Sequence, residues 1–371
     1  MTHDATSPSP QGSTMPRDIR EALSTQMQEV LRVQGARAAE CRTAADDVVT
    51  ARMGREAVPD DSKDALAPTE FAAVRAEYRA ERAFWNEDGP TMAQTLDANI
   101  RVRDVEVPVR IHRPTDDSTL PGVVFLHGGG FSLGDLDTHD RIARVIAVAS
   151  GAAVIAVDYS LSPEAVYPQA LLECAAVIDR LVAHGGTWGI DGSRLAVAGD
   201  SAGAMLALGA ALLLRDEPER IQHTPERVGA EKAFTSIRAL LLFYGGHGLT
   251  DSESRRLFGG AWDGMTPEAL ASIAALHYSS PADAESPYVN HLGADLSSLP
   301  PTFIAAAGLD PLRDDSRALA ALLRRAGTDV DYVEYPQVLH SFLHFGRMLD
   351  EANAALEAAS TFAASHLGRV D

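Results

Sequence analysis

Cysteine is nearly absent. Cys41 and Cys174 are the only two in 371 residues, too few for a disulfide framework. No CxxC pair or Cys/His cluster offers a zinc site, and two free thiols suit a reducing cytoplasm. Long apolar runs are missing as well. None approaches the roughly 18 residues of a transmembrane helix, and Ala202 to Leu214 is too short. Residues 1–15 carry no basic head followed by an apolar stretch, so no signal peptide is expected. Basic residues are outnumbered, with 32 Lys and Arg against 52 Asp and Glu. The formal charge of −20 and a pI near 4.9 argue against nucleic acid or an anionic membrane as partner. A homodimer or a protein partner stays open.

What is present suffices for a substantial core, since 46% of the residues are hydrophobic. Residues 1–16 read as a disordered tail. Arg17 to Arg37 has helical spacing, with Ile19, Leu23, Met27, Val30 and Leu31 on one face. After an alanine-rich, charged stretch over 38–68, a second helix opens at Thr69 and carries Phe71, Val74, Tyr78, Phe84 and Trp85. Both helices precede any strand and need a surface to cover, so 17–95 is read as N-terminal cap helices.

The β pattern starts near Ile100. Ile100–Arg103 and Val107–Ile111 alternate apolar and polar, as a half-exposed antiparallel pair would. Val123–Leu126 is continuously apolar, implying burial on both faces. Strands at Ala153–Val157, Arg194–Ala198, Ala239–Tyr244, Thr302–Ala306 and Val330–Tyr335 then alternate with helices. Those helices are Gln169–Val182, Ala202–Leu214, Ser316–Arg325 and Asp350–Phe362. The rhythm predicts an α/β catalytic domain over 96–371, with a mostly parallel sheet covered on both faces. Arg215 to Lys232 reads as a polar surface loop. Residues 250–280 carry their own helix, capped by Thr266 with Pro267 at its first position, and are assigned to the cap.

Chemistry concentrates at Gly199-Asp200-Ser201-Ala202-Gly203, a G-x-S-x-G between a buried strand and a helix. Such a turn is a nucleophile elbow, lifting Ser201 clear of the sheet at the positive end of the helix. The bland reading is a Gly/Ser turn of the kind any α/β protein contains. Asp200 is expected to point away. Acyl transfer also needs a base, an orienter and oxyanion donors. His127-Gly128-Gly129-Gly130-Phe131 follows a strand, and its backbone N–H groups, with that of Ala202, suit an oxyanion hole. A phosphate cradle is the rival, but no GKS/T follows. His127 is read as a brace for this loop. Of twelve histidines, His340 follows a strand late in the chain, as Ser…Asp…His order requires, while His344 is read as packing. Asp310 follows the strand ending near Ala307. Asp314 and Asp315 are its rivals, and they read as the acidic first turn of a helix. Phe131, Trp85 and Trp262 are candidates for a substrate pocket.

The motifs His127–Phe131, Gly199–Gly203, Asp310-Pro-Leu-Arg-Asp314 and His340-Ser-Phe342 resemble the hormone-sensitive-lipase-like (GDXG) family of α/β-hydrolases, and within it the acetyl esterases. Glu81–Asn86, Gly134–Asp140, Tyr159–Ala165 and Gly259–Gly264 add to the likeness, which runs from about residue 70 onward. The resemblance implies a cytoplasmic esterase of short acyl chains needing no metal or other cofactor, and the bulky aromatics of the two cap segments, Phe84 and Trp85 in one and Phe258 and Trp262 in the other, narrow the expected range to acetyl to butyryl. The resemblance also implies a triad of Ser201, Asp310 and His340. An amidase or peptidase with the same triad, or a regulatory binding protein on a hydrolase scaffold, are the alternatives.

Overall fold

The computed structural model describes residues 15–41, 68–102, 105–221, 230–260 and 262–368. The tail and most of the acidic 38–68 stretch lie outside them. Before the first strand come α1 (Arg17–Ala22), α2 (Thr25–Cys41) and α3 (Pro68–Trp85). The sequence suggests one helix over 17–37. The chain breaks it at Leu23, which is extended, and Ser24 Oγ accepts the Met27 N–H to start a new helix.

The sheet has eight strands: β1 (Gln94–Val102), β2 (Val105–Arg113), β3 (Leu120–Leu126), β4 (Ala153–Val157), β5 (Ile190–Asp200), β6 (Ile237–Phe243), β7 (Thr302–Ala307) and β8 (Val330–Tyr335). Their order is β1-β2-β4-β3-β5-β6-β7-β8. β2 runs antiparallel to both its neighbours, β1 and β4, and every other pair is parallel. β3, β4 and β7 are buried along their whole length, whereas β1 alternates exposed and covered residues. Continuous apolar runs became central strands and alternating ones became the edge, as burial on two faces or one requires.

Helices α4 (Asp140–Ser150), α5 (Gln169–His184), α6 (Ala202–Asp216) and α7 (Ala230–Thr235) link β3 to β6. The insert after β6 carries α8 (Glu253–Phe258) and α9 (Pro267–His277), and α11 follows α10 (Pro281–Ala284) as Arg313–Arg325. α12 (Asp350–Leu367) closes the chain. α5, α6 and α11 cover one face of the sheet, and α4 and α12 the other. The expected loop over 215–232 is partly helical instead, since buried Ile221 and Ala233 dock it on α5 and α6. Thr266 caps α9 as expected, accepting the Ala269 N–H at 3.1 Å.

The helices before the sheet split their roles. Leu23, Met27 and Val30 join the core on the α4/α12 face. α3 lies across the outside of the loop after β3. There the Arg75 guanidinium donates to the carbonyls of Ser132 and Ser162, and Arg79 pairs with Asp135. At the end of α3, Trp85 is buried edge-on against Phe345 at 4.9 Å, and its indole N–H donates to Glu81. This corrects the expectation that Trp85 lines a substrate pocket. An aromatic at the last turn of this helix reaches the core first. Trp85→Ala should therefore lower stability by about 3–5 kcal/mol without altering acyl-chain preference, as melting curves beside a substrate profile would show.

Candidate active site

β5 ends at Asp200 and α6 begins at Ala202, leaving Ser201 alone at the turn. Its φ of 52° and ψ of −119° are strained for a residue with a side chain, and its N–H is tied to the Phe243 carbonyl on β6 at 2.8 Å. A Cβ at Gly203 would collide with the Leu126 carbonyl, so the helix can start this near β3 only with glycine there.

His340 reaches the turn from the loop after β8. Its Nε2 lies 2.9 Å from Ser201 Oγ, and its Nδ1 lies 2.7 Å from Asp310 Oδ2. Asp310 is fully buried, and its other oxygen accepts the Leu312 N–H at 2.7 Å. With Nδ1 donating to the carboxylate, Nε2 is the acceptor facing the serine hydroxyl. Burial disfavours the imidazolium, but the charge and hydrogen bond of Asp310 outweigh it and hold His340 above the usual histidine value. The rival acids are occupied elsewhere. Asp314 accepts the Ser254 N–H, and Asp315 accepts those of His247, Gly248 and Leu249. Both fasten the insert after β6.

The glycine loop leaves β3 beside the same turn. The Gly128 N–H donates to Asp200 Oδ1 at 2.8 Å, so it is already engaged by a buried carboxylate. This corrects the expectation that Gly128 offers an oxyanion donor. The next two glycines turn the chain with φ of 122° and 58°. Among the described residues, the N–H groups of Gly129, Gly130 and Ala202 have no protein acceptor. His127 stacks on Tyr159 at 4.4 Å, its Nδ1 donates to the Gly128 carbonyl at 2.8 Å, and its own carbonyl accepts the Tyr159 hydroxyl. Burial pushes its pKa down to about 4, which leaves it neutral.

A cavity of about 630 Å³ adjoins the loop, walled by Phe131, Met205, Leu249, Met265, Leu270 and Ile273 among others. Ile273 Cδ1 is 3.2 Å from the point where a Gly130 Cβ would project. Phe131 lies flat on the His277 ring at 3.8 Å, and burial holds that imidazole neutral, with a pKa near 4. His277 is missed from sequence, where it is one more polar residue at a helix end. Trp262 does not reach this wall. It is half-buried against the α4/α12 core face and folds back over Gly260, correcting its assignment to the pocket.

Residues 123–344 match the family model described as having the alpha/beta hydrolase fold. The acetyl esterase of Salmonella typhi is 44% identical over 298 residues, 80% of this chain and 87% of its own length. The chain belongs to the hormone-sensitive-lipase-like family of α/β-hydrolases. The esterase of Pyrobaculum calidifontis superposes with a TM-score of 0.72 at 33% identity, over 80% of this chain and 93% of its own. An ester hydrolase from the Lake Arreo metagenome, solved with a bipyridine phosphonate derivative, gives 0.76 at 26% identity over 94% of this chain and all of its own. This α/β-hydrolase is a carboxylic ester hydrolase. No helix among its described residues is long and apolar enough to cross a membrane.

In this hydrolase the His340 environment sets a measurable sign. The imidazole should titrate above 6.5 in the wild type, and its midpoint should fall in Asp310→Asn, where the neighbouring negative charge is gone. NMR titration of the His340 ring checks this, and an unchanged or higher midpoint in the variant would contradict it.

Proposed function

We propose that this esterase works through Ser201 as nucleophile, His340 as base and Asp310 as orienter, on short acyl esters from acetyl to butyryl. The observation that carries the mechanism is the row Oγ–Nε2–Nδ1–Oδ2, at 2.9 and 2.7 Å, on a strained elbow. Ser201 Oγ adds to the ester carbonyl carbon while His340 Nε2 takes its proton. The carbonyl π pair becomes an oxyanion, received by the N–H groups of Gly129, Gly130 and Ala202. Collapse of that intermediate expels the alkoxide, which leaves as the alcohol with the proton from His340. Water repeats the cycle on the acyl-enzyme and releases the acid.

Support for a short acyl group comes from the relatives, which are acetyl esterases at 44% identity. The apolar cavity beside Gly130 gives the ester an apolar berth, where each buried methylene contributes about 0.8 kcal/mol. We assign α8 and α9 to the cap over this berth and the helices of 17–95 to the N-terminal part of the cap, and the enzyme's work to the cytoplasm, which suits a chain with only two cysteines and an acidic composition.

Ser201→Ala should lower kcat by a factor on the order of 10⁴ or more with the fold intact. Hydrolysis near the wild-type rate by a well-folded variant would sink the mechanism. An aryl-ester series with an aryl amide control should peak at acetyl to butyryl and leave the amide almost untouched. Ile273→Trp, which fills the cavity beside Gly130, should cut butyryl turnover more than acetyl turnover, whereas Trp262→Ala should leave the profile unchanged. An optimum at decanoyl would rule out the short-chain assignment.

A further inference from the structure

Behind the glycine loop lies a cluster of titratable groups that the reaction above does not use. His139, Asp200 and His344 are all buried, and one ring nitrogen of each histidine and one carboxylate oxygen lie within 4.8 Å of one another. His139 Nε2 faces Asp200 Oδ1 at 3.4 Å, the same oxygen that accepts the Gly128 N–H. The other carboxylate oxygen accepts the Tyr244 hydroxyl at 3.3 Å.

Both ring nitrogens of His139 have polar neighbours. The Thr138 hydroxyl oxygen accepts the Asp135 N–H at 2.9 Å and lies 2.9 Å from His139 Nδ1, which in a ring protonated at Nε2 accepts the hydroxyl proton. The opposite nitrogen is buried without a well-aligned partner and faces the carboxylate. A lone pair there would oppose a negative charge away from water, whereas an N–H meets it favourably. We propose that His139 turns an Nε2–H toward Asp200 and is the positioning residue that keeps Asp200 seated on Gly128, and so holds the oxyanion loop in register with Ser201. The inference rests on the serine-esterase reading above.

The neighbouring histidines are held neutral. His344 meets the His139 ring edge-on at 4.5 Å, and burial, with Arg82 and His139 nearby, holds it well below the usual histidine value. His127, with its ring centroid 5.4 Å from that of His139, is neutral as well. Burial opposes an ionised Asp200, but His139 and the Gly128 N–H more than offset it and keep the carboxyl below its ordinary value. A divalent metal on these three side chains would meet the buried Arg82 guanidinium, whose charge already acts on His344.

Three measurements decide the matter. In wild-type protein labelled with ¹⁵N-histidine, Nε2 of His139 should appear as an N–H at neutral pH, and an unprotonated Nε2 would overturn the proposal. His139→Ala should lower kcat on the order of 10²-fold with little change in KM, the scale of losing one oxyanion donor. It should also weaken an aryl trifluoromethyl ketone by a similar factor. In that adduct Ser201 Oγ bonds to the ketone carbon, its proton passes to His340, and the carbonyl pair becomes the oxyanion. His139→Gln, whose amide N–H can reach the carboxylate, should recover part of the loss, and adding Asp200→Asn to His139→Ala should cost little more than either change alone. A lower melting temperature with kcat and ketone affinity unchanged would make His139 merely structural and overturn the proposal. Zn²⁺ retained by the wild type in native mass spectrometry and lost in His139→Gln would also overturn it, in favour of a metal site. Failure of the serine-esterase reading would show separately, as hydrolysis that survives Ser201→Ala, while the nitrogen spectrum still reports on His139.

Discussion

One buried carboxylate ties the site together. Asp200 is the last residue of β5, one position before the serine, and it is almost wholly removed from water. Through one oxygen it holds the backbone of the loop after β3, and through the other the hydroxyl of Tyr244 at the end of β6. Tyr244 in turn lies edge-on against His340 at 4.9 Å. Three separate chain segments thus meet on a single anion. Because an unpaired charge in such a place is costly, each segment is held by the same need for satisfaction.

The strain at Ser201 depends on this frame. A positive φ on a residue with a side chain persists only when its surroundings over-determine it. Here the Phe243 carbonyl fixes the serine N–H, Asp200 anchors the residue before it, and the bare Cα of Gly203 lets α6 press against the end of β3. β3, β5 and β6 lie side by side in the sheet, so the elbow is braced by the most buried part of the molecule.

The strands and most helices were legible because burial leaves a periodic trace. Each predicted strand appears: β4 and β8 keep their predicted bounds, β6 starts two residues earlier and stops one short, β1 starts earlier with Arg103 outside the described residues, and the rest are longer at one end or both. α4 went unread although Ile142, Ala143, Ile146 and Ala147 mark its covered face and Gly151 ends it in a left-handed turn. The elbow, the glycine loop and the order of serine, acid and histidine could be read because each follows a strand end. What could not be read was direction. Which way the Gly128 N–H points depends on Asp200, seventy-two positions away in sequence. Trp85 and Trp262 look alike in sequence to a pocket aromatic such as Phe131, and only the packed helices separate them. His277 owes its place under Phe131 to the insert's fold, which no local pattern encodes.

The cavity wall has a thermodynamic corollary. α9 supplies Leu270, Ile273 and Ala274 to it, yet the only residue of that helix buried by protein is His277. An occupant of the cavity therefore supplies burial that the fold itself withholds from these side chains. Anything bound there stabilises the folded form by RT ln(1 + [L]/Kd), so this enzyme's resistance to heat is coupled to how full its berth is. The insert after β6 is then a segment whose packing is completed from outside, by whatever fills the cavity.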